Sequence, residues 1–398
     1  MLTRVVGSRV SRLNRDGLWV TLDGSGGLTQ PVTYYGRTGT KPDDVAVSNT
    51  GRVASLASRG GSFEIDTPLQ DPLPSGLELT VWEADGSLAF SRIFPGMMAP
   101  HPSAGYRGSE MGGSVLFATD GSIFVCGSFD DELRVGSELI RTTDEKAGGV
   151  ITKMDAGGNV LWVSEVVGDQ DARVHDCALT PGGDIVFGGS LDEQASATVG
   201  GLAVNNPNNA QAALLGRMSG SDGAGQWTHL ESSTQPLNYD AVAVRGDGRI
   251  FAALELRGSA ELGGESFLAL GQVDAVLLAY DDDGSAPNDA WVRRFSGASD
   301  DKIWDLGLSS DGDLFAAVAY DHNLELDPEL NLGHDGASTH SSALILRFAG
   351  DDGGVVWSHT FAGHYEQQMA HLAVGPDDSV VVSGRMRGEV EYGNWTLD

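Results

Sequence analysis

Residues 242–254 read VAVRGDGRIFAAL, and this stretch decides the fold. Alternating apolar residues run into an Arg-Gly-Asp-Gly turn, and a second apolar run follows, which is the signature of a β-hairpin. Five more copies occupy the same frame: VAVSNTGRVASLA (45–57), VLFATDGSIFVCG (115–127), CALTPGGDIVFGG (177–189), LGLSSDGDLFAAV (306–318) and LAVGPDDSVVVSG (372–384). Their turn positions are Gly51, Gly121, Gly183, Gly248, Gly312 and Asp378, spaced by 70, 62, 65, 64 and 66 residues. Self-similarity at a fixed period is the mark of a repeat architecture.

Two further registers move with this anchor. Trp162, Trp227, Trp291 and Trp357 each precede their turn by 21 residues, with Trp19 and Phe90 as the equivalents in the first two copies. Downstream, an apolar residue followed by Gly or Asp recurs at Ile65-Asp66, Val135-Gly136, Val199-Gly200, Leu262-Gly263, Leu326-Asp327 and Tyr392-Gly393. Each Trp strand is preceded by another apolar strand and a Gly/Asp turn, as in VITKMDAGGNVLW (150–162). One repeat therefore reads as four short antiparallel strands. No segment carries sustained helical periodicity with caps. The expectation is an all-β, six-bladed β-propeller in one domain over 1–398, its ring closed by pairing the N-terminal strands with the C-terminal hairpin.

Composition agrees with such a fold. The 398 residues include 55 glycines, which suits many tight turns. The balance of 25 Lys+Arg against 56 Asp+Glu gives a net charge of −31, which argues against nucleic acid and anionic lipid as partners. Only four lysines occur: Lys41, Lys146, Lys153 and Lys302. No apolar run is long enough for a transmembrane helix. The N-terminal residues lack an apolar stretch of signal-peptide length. Cys126 and Cys177 each lie in an apolar strand pattern, so buried thiols are the expectation and either redox compartment is compatible.

Segments 363–397 and 273–284 (VDAVLLAYDDDG) resemble the SBBP-type bacterial β-propeller repeat family, Asp274-Ala275-Val276 keeping its opening and the Trp register its middle. The resemblance covers nearly the whole chain at repeat level, although each copy is degenerate. It implies bacterial propeller repeats in exported or cell-surface proteins, without shared catalytic residues.

The connections into the first strand of each repeat should gather at one channel mouth. Seven residues before the anchor, one ring position holds Asp44, Ser114, Asp176, Ala241, Asp305 and His371. Asp44, Asp176, Asp305 and His371 are thus candidate metal ligands, with calcium the cofactor such oxygens would take. The competing reading is solvated turn acids in a chain that is acidic throughout. Trp304 breaks the Trp register and sits beside Asp305, with Tyr239 and Tyr365 in equivalent connections. Aromatic faces among acids suit a carbohydrate or a cationic ligand on a protein partner. The run Asp281-Asp282-Asp283-Gly284 has the look of a calcium loop, but lacks the Glu at position twelve and falls on a hairpin turn. No nucleophile elbow, zincin helix or phosphate loop occurs. The function expected is a non-enzymatic binding or interaction scaffold. The alternative is a metal-dependent hydrolase or lyase at the channel mouth.

Overall fold

The computed structural model describes residues 18–22, 28–33, 40–59, 76–96, 113–143, 146–297, 300–321, 324–326, 330–332, 341–363, 367–375, 378, 380–386, 390–392 and 395–397. Among the described residues every regular element is a strand, and none is a helix long and apolar enough to cross a membrane.

The N-terminal strands β1 (Leu18–Leu22) and β2 (Leu28–Thr33) pair with each other. The first complete sheet runs β3 (Thr40–Val47), β4 (Val53–Arg59), β5 (Gly76–Trp82) and β6 (Leu88–Pro95). The second repeat comprises β7 (Gly113–Phe117), β8 (Ile123–Asp130), β9 (Glu132–Val135), β10 (Glu138–Arg141), β11 (Ala147–Met154) and β12 (Val160–Gly168). The third comprises β13 (Ala172–Leu179), β14 (Ile185–Leu191), β15 (Ser196–Val199), β16 (Leu202–Asn205), β17 (Ala212–Met218) and β18 (Gly225–Glu231). The fourth comprises β19 (Tyr239–Val244), β20 (Ile250–Leu256), β21 (Ser259–Leu262), β22 (Glu265–Leu268), β23 (Asp274–Asp282) and β24 (Pro287–Ser296). The fifth comprises β25 (Asp301–Leu308), β26 (Leu314–Asp321), β27 (Leu324–Leu326), β28 (Leu330–Leu332), β29 (Ser341–Phe348) and β30 (Val355–Gly363). The last strands are β31 (Gln367–Val374), β32 (Val380–Met386), β33 (Val390–Tyr392) and β34 (Trp395–Leu397).

Strands one, two, five and six of each full repeat form a four-stranded antiparallel meander, the arrangement of a β-propeller blade. Five such sheets are complete among the described residues, one fewer than the sequence leads one to expect. The pair β1–β2 and the pair β31–β32 each stand as two-stranded sheets, so the expected closure between them is not among the ladders described. The chain divides into two compact units, one of residues 1–176, 195–205 and 218–225, the other of 177–194, 206–217 and 226–398.

The second sequence register marks a feature beyond the four-strand reading. Val135, Val199, Leu262, Leu326 and Tyr392 each end the first strand of an additional hairpin. These hairpins reach back to the preceding blade. Strand β15 pairs with β12, β27 with β24, and β33 with β30. Single bridges Gly96↔Leu133 and Ser233↔Ala260 make the same contact for β9 and β21. Each hairpin thus covers part of an outer edge that would otherwise expose unpaired N–H and C=O groups.

The Trp register packs one blade against the next. The ring of Trp162 meets Phe124 edge-on at 5.9 Å, and its Nε1 donates to Gly220 O at 3.3 Å. Trp291 repeats this with Phe251 at 5.8 Å and Gly350 O at 3.4 Å. A Cβ at Gly223 or Gly353 would lie 2.8 Å from the respective ring, so the tryptophan requires a glycine turn beneath it. Cys126 and Cys177 are both buried as expected, but both are disulfide-bonded, which overturns the free-thiol reading.

Candidate functional site

The first strand of each blade carries the ring position, and a β-bulge determines how its side chains point. The register slips between Pro42 and Asp44, Tyr239 and Ala241, Ile303 and Asp305, and Met369 and His371. Each slip leaves one residue unpaired, here Asp43, Asp240, Trp304 and Ala370, and frees a backbone N–H that needs an acceptor.

The ring-position aspartates supply it. Asp44 accepts its neighbour's N–H from Val45 at 2.6 Å and, through its other oxygen, the N–H of Val115 on β7 at 2.8 Å. Asp305 does the same with Leu306 and with Leu372 on β31, both at 2.8 Å. Each carboxylate therefore ties the first strands of consecutive blades together. Asp176 accepts a hydrogen bond from the Ser114 hydroxyl. His371 is about half exposed, and its Nδ1 lies 3.9 Å from Asp305 Oδ2. Within one unit, then, Asp44 and Asp176 both engage the Ser114–Val115 segment, and within the other Asp305 lies beside His371. Among the described residues no three His, Cys, Asp or Glu side chains are placed to hold a metal ion.

Of the three aromatic candidates, Tyr239 is corrected by the structure. The bulge at Asp240 turns its ring into the core, where it is fully buried and its hydroxyl meets that of Tyr280 at 2.8 Å. Tyr280 continues this chain to Glu231 at 3.2 Å, and Glu231 meets His229 at 2.9 Å. Tyr365 lies outside the described residues.

Trp304 is the bulged residue of β25 and is half-buried. Lys302 places its ammonium 4.4 Å from the ring centroid, close enough for a cation–π attraction. The same ammonium lies 2.9 Å from Glu255 and 3.4 Å from Asp240, the bulged residue of β19. Arg257 pairs with Glu255 at 2.8 Å, and Asn238 donates to Asp240 at 2.7 Å. Burial pushes the Asp240 carboxyl up to about 7, against the pull of Lys302. Burial acts on Glu255 in the same sense, but Lys302 and Arg257 override it and hold that carboxyl down to about 2. The result is an aromatic face beside an ammonium held between two carboxyl groups.

Sequence reasoning picked out Trp304, and Asp240 among the acids of these connections, and missed Lys302, Glu255 and Arg257. The scarcity of lysine was the available signal, since Lys302 is two residues from Trp304, which with Trp82 and Trp395 falls outside the register. The Asp281–Gly284 run is a turn, with Asp282 and Asp283 accepting backbone N–H groups from Gly284 and Ser285 at 2.8 Å.

No protein-family model and no curated protein matches the chain. Among solved structures, a protein of unknown function from Bacteroides caccae is 11% identical with a TM-score of 0.43, over 89% of this chain and 92% of that one. A luciferin-regenerating enzyme is 12% identical with a TM-score of 0.37, over 86% and 83%. A quinohemoprotein alcohol dehydrogenase from Pseudomonas putida HK5 is 11% identical with a TM-score of 0.40, covering 96% of this chain and 62% of that one.

Proposed function

We propose that the chain is a non-enzymatic binding scaffold of the SBBP-type propeller repeat, which takes a carbohydrate at the face carrying Trp304. The observation that supports it most is the Trp304 bulge: a half-buried indole beside the ion-paired Lys302 and Asp240, an aromatic surface set among charged groups. The rival hydrolase or lyase would hold its ion at the ring position. Asp44 and Asp305 instead accept backbone N–H groups between blades, which favours the scaffold. The disulfide-bonded cysteines favour an oxidising compartment, and with it a surface or secreted location. We also propose that β1–β2 and β31–β32 belong to a sixth blade.

Binding of the full chain to an array of neutral and anionic oligosaccharides, followed by calorimetry on the hits, tests the ligand reading. Trp304→Ala is expected to weaken the hit about tenfold or more, since a stacked aromatic contributes on the order of 1–2 kcal/mol. A hit that binds the alanine variant equally well, or an array without hits, removes this face as a sugar site.

A further inference from the structure

Asp301 opens β25 with no surface exposed to solvent, and neither of its carboxylate oxygens has a hydrogen bond of ordinary geometry, although the Asp321 N–H lies near enough to favour its charged form. Thr40, Glu110 and Gln367 hold this place in three other copies, but the two repeats before β25 bury an apolar residue there. Eleven residues before the turn glycine stand Ala172 ahead of Gly183 and Leu237 ahead of Gly248, both fully buried. The same position ahead of Gly312 is Asp301. A carboxylate stands here where the two preceding repeats bury an apolar side chain, and no hydrogen bond of ordinary geometry offsets its desolvation.

Its surroundings add negative charge. Backbone bonds from Asp301 N–H to Val273 O at 2.8 Å and from Asp321 N–H to Asp300 O at 3.2 Å draw Asp274, Asp300, Asp301 and Asp321 into one locality. Burial, then the charges of Asp274, Asp321 and Asp300, push the Asp301 carboxyl up to about 8. Asp274 is itself fully buried and accepts N–H groups from Leu270 at 3.2 Å and Gly271 at 3.3 Å. The neighbouring cations do little here. Lys302 turns to Glu255 and Asp240, and Arg294 approaches Asp274 only to 3.9 Å.

We propose that Asp301 anchors a calcium-class cation site where β23, β25 and β26 meet, with Asp274, Asp300 and Asp321 supplying the surrounding negative charge. Calcium takes six to eight oxygens and accepts backbone carbonyls and water among them, so the site does not require three carboxylates to converge on the ion. It differs from the ring position of Asp44, Asp176, Asp305 and His371, and it stands independently of the sugar-binding reading.

The test is calcium binding by the full chain after EDTA treatment, measured by calorimetry, with melting in CaCl2 compared against NaCl of equal ionic strength. One calcium per chain and a melting temperature raised beyond the NaCl control are expected. Asp301→Asn should lower calcium affinity at least about tenfold. Asp351→Asn, which removes an equal charge at an exposed site, should leave it unchanged. If the asparagine variant does not fold, Asp301→Ala carries the comparison, since Ala172 occupies the equivalent place. Absence of calcium binding, or binding unaltered by loss of Asp301, overturns the proposal. So does a calcium-indifferent chain whose stability is present at low pH and is lost as pH rises through about 8, because that is the behaviour of a buried neutral acid.

Discussion

At the residue scale, Asp305 shows one carboxylate solving two problems. The bulge at Trp304 interrupts the ladder of β25, and the oxygens of Asp305 collect one N–H from its own strand and one from β31. Charge-assisted hydrogen bonds of this kind each contribute about 1.5–3 kcal/mol. Asp305→Ala is therefore expected to cost about 2–4 kcal/mol in urea unfolding, while Asp305→Asn, which keeps one acceptor, should cost less. Equal stability of the alanine variant and wild type would show that the carboxylate does not hold the strands. The same bulge explains what the sequence concealed. Strand alternation has a period of two, so a single inserted residue reverses the direction of every side chain beyond it. Tyr239 stands in the connection predicted to face the mouth, yet the bulge at Asp240 directs its ring into the core.

At the element scale, the four-strand blade was legible because its turns need glycine and its outer strand repeats an aromatic, both local signals. The backward-reaching hairpins were legible only as an unexplained register. Their strands are three or four residues long, and their partners lie in the preceding repeat, so no local periodicity betrays them. Gly200 makes this contact testable. It sits at φ 52° in the turn after β15, donates its N–H to Glu165 O on β12 at 3.1 Å, accepts the Gly225 N–H at 2.9 Å, and would bring a Cβ to 2.4 Å from Gly223 O. Gly200→Val should destabilise the chain by about 2–3 kcal/mol through left-handed strain and backbone overlap. A valine variant as stable as wild type in urea unfolding would mean that the hairpin yields without loss.

At the scale of the whole molecule, the three sequence registers gave the repeat, while the number of complete blades was beyond their reach. Pairing between the first and last strands depends on long-range contacts that no local pattern encodes. Removal of residues 1–35 tests the sixth blade. If β1–β2 cover the edge of β31–β32, the shortened chain should melt lower and aggregate through the bared strand. Unchanged melting would dismiss that closure. The hairpins also give the polypeptide a direction. Because β15 grips β12, β27 grips β24 and β33 grips β30, each of these repeats finishes its predecessor rather than itself. During synthesis the ribosome would deliver each cap once the first hairpin of the next blade has emerged, so the growing chain need present only its newest outer edge bare, and folding can advance from one repeat to the next like a ratchet.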